Sequence, residues 1–387
     1  MNQSTLLSTR PGQDDDAGRR GGGGEAGRRG GGGGGLGPLV PTARLIVNSE
    51  HQEASKDMPD ELTYSGGFAA GVAEEMATNP DIFVIGTDLV HRGGHWGQIK
   101  GLVDIVGPGR VFDAPISEAA MVATGVGAAM AGMHPIVDLN FVDFAFGAMD
   151  EIANQAAKIP FMLGRPVPLV IRATAGIAHG GPQHNNSLES FFMNLPGVNV
   201  VVPAFPYDVK GLIKTALRTP EPVIFLMHKR LTGIKGLVGG PDELVPMGRA
   251  NIVRSGSDCT VITYGGGVAK ALAAAEMLAE HAISTEVIDL RTLAPLDVET
   301  CVASVKKTGR AVVLDEAPRF AGPGAEVAAT VQELAFEYLD APVGRLGAMR
   351  TTMPESPPLL DQVLPKAADV VAAVQSTYGA FQDAKGS

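Results

Sequence analysis

From residue 60 onward the sequence alternates stretches of helical spacing with short runs rich in β-branched residues. Such alternation constrains the fold strongly, because parallel strands cannot be joined by a tight turn and need a helical crossover of a dozen or more residues. The fold class is therefore α/β. Buried strands are expected at 82–86, 135–139, 168–172, 198–202 and 222–226, with helices over 61–78, 118–131, 149–158 and 207–217. Residues 229–247 are Gly-rich and lack a sustained period, so an interdomain linker is placed at 236–249. Beyond it the alternation resumes, with strands at 258–264, 284–290 and 311–315 and helices at 268–281 and 298–307. The expectation is two doubly wound domains, 58–235 and 250–387, with no internal repeat relating them.

Length agrees with this division, since 387 residues suffice for about two domains with sizeable cores. The balance of 31 basic against 42 acidic residues gives a net charge of −11, and no Lys/Arg stripe is interleaved with aromatics. A nucleic-acid partner is therefore not expected. No uninterrupted apolar run approaches the roughly 18 residues of a membrane span, so no membrane association is expected either. Residues 1–57 are Gly- and Arg-rich with too little apolar surface to offset ordering entropy, and read as a disordered extension. Asp14, Asp15, Asp16 and Glu25 do not suit a transit peptide, and Met58 is an alternative translation start. Cys259 and Cys301 are too few for a zinc site and read as small hydrophobes in a reducing compartment, cytoplasmic or, alternatively, the mitochondrial matrix.

Three stretches place polar or aromatic groups where core strands end. Residues 110–121 set Glu118 at the start of a helix; spacing alone is equally served by helix-start chemistry. Residues 140–146 carry Phe141, Phe144 and Phe146, which read first as core. Residues 179–187 crowd His179, Gln183, His184, Asn185 and Asn186 into a loop, the place where open α/β sheets carry binding groups. Gly265, Gly266 and Gly267 lie between a strand and a helix but lack the spacing of a dinucleotide or phosphate loop, so they read as tight-turn glycines. No metal-ligand spacing is present, and no metal site is assigned to this chain.

Together these stretches resemble the beta subunit of the decarboxylating component of 2-oxo acid dehydrogenase complexes, of pyruvate, branched-chain and acetoin types. The resemblance is carried by 110–120 (RVFDAPISEAA), 141–158 (FVDFAFGAMDEIANQAAK), 183–190 (QHNNSLES), 196–213 (PGVNVVVPAFPYDVKGLI), 286–296 (EVIDLRTLAPL) and 307–316 (KTGRAVVLDE). It implies a transketolase-type pyrimidine-binding domain followed by a transketolase C-terminal-like domain, with thiamine diphosphate as cofactor. Within it, Glu118 matches the carboxylate that hydrogen-bonds the aminopyrimidine ring nitrogen, and a dry pocket raising its pKa would suit that role. Phe144 matches the aromatic that packs on the aminopyrimidine. His184 matches the loop histidine near the reacting carbon.

The Gly-Asp-Gly run with which thiamine enzymes hold the diphosphate through Mg²⁺ does not occur in this sequence. The resemblance therefore implies a separate alpha subunit that carries the Mg²⁺ site, in an α2β2 heterotetramer serving a lipoyl acyltransferase core. It implies oxidative decarboxylation of a small 2-oxo acid, most simply pyruvate, with acyl transfer to a lipoyl domain. An acetoin or branched-chain substrate is the alternative, and a non-catalytic scaffold subunit a further one. Departures from the family pattern lie on the substrate side: Gly86-Thr87-Asp88 after the first strand, His91 and His95 with Trp96 in the next loop, Asn185-Asn186 beside Gln183, and His228. His91, His95 and Gln183 are thus expected to face substrate, with a surface-loop role equally open for the two histidines.

Overall fold

The computed structural model describes residues 61–178 and 180–385. The expected disordered extension, the Met58 start and His179 lie outside the described residues. Strands are β1 (Glu61–Thr63), β2 (Ile82–Gly86), β3 (Val111–Asp113), β4 (His134–Phe141), β5 (Val170–Ala175), β6 (Asn199–Val201), β7 (Val223–His228), β8 (Lys235–Leu237), β9 (Asn251–Arg254), β10 (Cys259–Thr263), β11 (Thr285–Asp289), β12 (Thr292–Ala294), β13 (Ala311–Pro318) and β14 (Gly344–Ala348). The α-helices are α1 (Tyr64–Thr78), α2 (Leu102–Val106), α3 (Glu118–Met130), α4 (Ile159–Leu163), α5 (Glu189–Met193), α6 (Pro206–Arg218), α7 (Gly267–Ala279), α8 (Val298–Thr308), α9 (Pro323–Ala335), α10 (Pro357–Val363) and α11 (Ala367–Lys385).

Seven strands form the first sheet in the order β12-β6-β7-β5-β4-β2-β3, and five form the second in the order β14-β13-β10-β11-β9. Pairing is parallel throughout except for β12 against β6 and β9 against β11. Strands β5 and β7 are buried along their whole length, as continuous apolar runs under helices on both faces require. Both cysteines are buried and free, packed as small hydrophobes whose thiols burial pushes up to about 12.

Three local expectations differ from the structure. Residues 61–63 are not helical: they pair antiparallel with β8, inside the Gly-rich stretch read as irregular, and the helix starts at Tyr64. Thr63 makes the switch, its Oγ1 accepting the Gly66 amide at 2.9 Å as an N-cap. Over 149–158 the helix is a π-type turn, Glu151–Ala156, a form that recurs at functional sites. The segment Thr292–Ala294, which follows the second domain's β11, turns back to extend the first sheet beside β6.

A buried hydrogen bond joins the same two sheets. His228 at the end of β7 contacts Glu316 on β13 at 2.5 Å, and Lys270 on α7 donates to the other Glu316 oxygen at 2.6 Å. The Lys270 ammonium and the hydrogen bond from His228 hold the Glu316 carboxyl well below the usual range despite its burial. Gly176 and Gly266 flank the imidazole so closely that a Cβ would lie 2.1 Å and 2.5 Å from it, and Gly176 has φ of 79°. The Gly265-Gly266-Gly267 run thus serves close packing and a turn.

Candidate active site

The parallel strands β2, β4, β5 and β7 end on one side of the first sheet, where open α/β sheets bind ligands. The fully buried Arg172 of β5 anchors this edge. Its guanidinium donates to both oxygens of Asp138 on β4, at 3.1 and 3.2 Å, and to Thr174 Oγ1 at 2.8 Å. A buried charge is tolerable only with such partners. Asp138 also accepts Gln98 Nε2 at 2.6 Å, and Gln98 Oε1 accepts the Trp96 amide at 3.0 Å. A polar chain therefore runs from the core to the loop after β2 and fixes Trp96 above the strand ends.

On this base an aromatic group assembles from separate elements. Phe141, the last residue of β4, lies with its ring 4.7 Å from His184, 5.2 Å from His95, 6.0 Å from Phe144 and 6.1 Å from Trp96. Phe144 meets His184 edge-on at 5.4 Å. Phe144 belongs to a 3₁₀ segment, Val142–Ala148, that packs against α3. His184 Nδ1 lies 3.0 Å from the Gly180 carbonyl, which can only accept, so that nitrogen carries the proton and Nε2 is left for a ligand. Asn185 closes the loop by accepting the Ala178 amide at 2.6 Å and donating to the Ala178 carbonyl at 2.5 Å. Asn186 donates to Asp143 Oδ1.

Glu118 is the first residue of α3, at the helix's positive end, and is half-buried. Ser117 makes no side-chain cap, and Glu118 engages no hydrogen bond or ion pair among the described residues. The Ser117 cap is therefore not made, whereas the carboxylate at the helix's positive end is as helix-start chemistry expects, with no partner engaging it among the described residues.

Of the expected site residues, His95, Phe144 and His184 come together and Glu118 heads the adjoining helix. His91 and Gln183 are exposed and stand outside the ring group. Trp96, Phe141 and Lys229 join the candidate site; in the sequence Phe141 reads first as core, Trp96 stands out only as a departure in the loop after β2, and Lys229 carries no signal of its own. Three buried polar atoms here lack partners: Trp96 Nε1, Asn140 Oδ1 and Asp143 Oδ2. Asn140 also holds φ of 65°, uncommon for a residue with a Cβ.

Comparison with known proteins shows the family. Residues 60–235 match the transketolase pyrimidine-binding domain and residues 248–370 the transketolase C-terminal domain. The acetoin:2,6-dichlorophenolindophenol oxidoreductase subunit beta of Cupriavidus necator is 41% identical over 319 residues, 79% of this chain and 94% of that one. The 2-oxoisovalerate dehydrogenase subunit beta of Bacillus subtilis is 40% identical over 76% of this chain and 92% of its own length. The pyruvate dehydrogenase E1 component subunit beta of Rhizobium meliloti is 40% identical over 81% and 69% respectively. A solved structure, a split-gene transketolase described as an inactive beta4 tetramer, superposes with a TM-score of 0.68 at 27% identity, covering 82% of this chain and 98% of that one. The chain belongs to the transketolase-like family of dehydrogenase E1 beta subunits.

Proposed function

We propose that this chain is the beta subunit of a thiamine diphosphate-dependent 2-oxo acid dehydrogenase, most simply one acting on pyruvate. The observation that carries the reading is the unengaged Glu118 carboxylate at the head of α3, on a helix that packs against the segment bearing Phe144. The donor set suits an aminopyrimidine: a carboxyl group for a weakly basic ring nitrogen, an aromatic edge for its face, and orphaned polar atoms nearby. When bound, thiamine diphosphate supplies an electron sink for the pair released as the carboxyl group departs. Glu118 would hold the ring nitrogen and share its proton. Phe144 would fix the ring's plane. His184, with its proton on Nδ1, would present Nε2 to accept or return a proton at the reacting carbon. Trp96 and His95 would wall the substrate side and exclude water.

The diphosphate and its Mg²⁺ fall to an alpha subunit in this reading, because the sequence has no Gly-Asp-Gly run. Exposed apolar side chains support a partner in an α2β2 heterotetramer: Phe161, Met162 and Leu163 stand together on α4, and Phe146 and Phe191 meet edge-on at 5.3 Å while half exposed. Acyl transfer to a lipoyl core would follow. Acetoin or a branched-chain 2-oxo acid is the second substrate reading, supported by relatives named for each at 41% and 40% identity. No helix among the described residues is long and apolar enough to cross a membrane. Bacterial relatives and relatives named as mitochondrial support a cytoplasmic or matrix location.

Glu118→Gln is the direct test. With its alpha subunit, the variant should lose at least about 100-fold in coupled 2-oxo acid oxidation while its circular dichroism stays that of the parent. Activity near the parental level would remove Glu118 from the chemistry.

A further inference from the structure

We propose that Lys229 is a positioning residue for His184, its side chain pinning the loop that carries the histidine against the aromatic group. Lys229 follows β7 directly, and its amide donates to the Ala175 carbonyl at 3.1 Å, which seats it beside the end of β5. Its side chain is buried and turns into the site. The Nζ donates to the backbone carbonyl of His184, lies 3.5 Å from Asn185 Oδ1, and sits 5.6 Å from the centre of the Phe141 ring. One cation thus touches the loop's main chain, the side chain that closes the loop onto Ala178, and the ring against which His184 packs.

Placing an ammonium there is costly, since burial removes its hydration. Burial brings the Lys229 pKa down to about 8, opposed by the carboxylates of Asp143 and Glu316 and assisted by Arg230. The group therefore remains largely cationic at neutral pH. Nothing in the packing of β7 requires a cation at this point, because the strand's own side chains are apolar up to His228. The contacts the cation makes are instead confined to the loop and to Phe141. Holding the His184 carbonyl fixes the main chain from which the ring projects, while the Gly180 carbonyl fixes the ring's rotation through Nδ1. Two independent restraints then define where Nε2 stands.

The kinetic arm rests on the role proposed above for His184, whereas the structural arm does not. In the full chain, Lys229→Met should speed amide exchange over residues 177–188 by about tenfold or more, leaving the β10 amides unchanged. Lys229→Arg, which keeps a cationic donor, should recover most of the protection. In the assembled enzyme, Lys229→Met should lower kcat about tenfold or more with KM within about threefold. Because Lys229 acts through His184, the double variant Lys229→Met with His184→Ala should be no slower than His184→Ala alone. Should Lys229→Met not fold, Lys229→Leu, which likewise removes the donor, gives the same readings. Loop exchange within about twofold of the parent, or losses that multiply in the double variant, would overturn the proposal. If instead His184→Ala keeps parental activity while loop exchange still responds to Lys229, the positioning stands and the catalytic reading of His184 fails.

Discussion

Buried carboxylates give the sharpest residue-scale consequences. Glu189, at the start of α5, is buried with only Ser187 Oγ donating to it from a side chain, at 2.7 Å. Burial raises its pKa to about 7, with Asp315 and Glu316 adding to the shift. Above pH 7 the group is ionised in folded and unfolded chains alike and the full burial penalty applies. As pH falls from about 7 towards the unfolded value near 4.5, the folded chain takes up the proton first and gains stability. Glu189→Gln should therefore raise the thermal midpoint at pH 8, by a penalty of about 3 kcal/mol removed, and change it little at pH 5. A midpoint unchanged at pH 8 would contradict the buried-charge account. At this scale the sequence was partly legible. Glu118, Phe144 and His184 stand out because their neighbours resemble a family pattern, whereas Trp96 and Lys229 acquire their contacts only when loops after β2 and β7 converge on Phe141. That convergence spans more than a hundred residues of chain, and no local period encodes it. His91 and Gln183 show the reverse: polar residues in the right loops whose side chains face solvent.

Helix α3 illustrates how an element sets a site. Its inner face carries Met121, Val122, Gly125, Val126 and Ala129, and Gly125 lies so near the sheet that a Cβ would stand 2.5 Å from Val137 Cγ2 and 3.0 Å from Leu169 Cδ1. The helix therefore seats deeply, which fixes the height of Glu118 at its N-terminus. Two effects compete in Gly125→Ala: about 1 kcal/mol of gained helix propensity and about 1–3 kcal/mol of overpacking between fully buried neighbours. Overpacking should win, lowering the denaturant midpoint and, as α3 shifts outward, coupled activity as well. Gly127→Ala on the same helix meets nothing within 4 Å and should keep only the propensity gain. Equal effects of the two substitutions in urea unfolding would show that α3 has slack against the sheet. Strands and long helices were legible because their apolar periods are set by burial on both faces of a parallel sheet. The short strands β1, β8 and β12 were not, since three residues hold no period and their pairing depends on distant partners.

Across the whole molecule, the two sheets are tied together, and the proposed function assigns them half of an active site. Strand β12, the His228–Glu316–Lys270 contacts and Arg291, which pairs with Asp208 of α6 at 2.5 Å, bind them together. The strand ends of the first sheet carry the candidate site with its unpartnered groups, the sequence has no Gly-Asp-Gly run, and apolar side chains stand exposed on α4 and beside α5. On the proposed function, that combination calls for a second chain. The most direct measurement is affinity purification of this chain from its native cells, with sequencing of whatever accompanies it in comparable amount. The account predicts a single dominant partner whose sequence carries Gly-Asp-Gly followed downstream by an asparagine. A chain that purifies alone and binds thiamine diphosphate with Mg²⁺ unaided would contradict it.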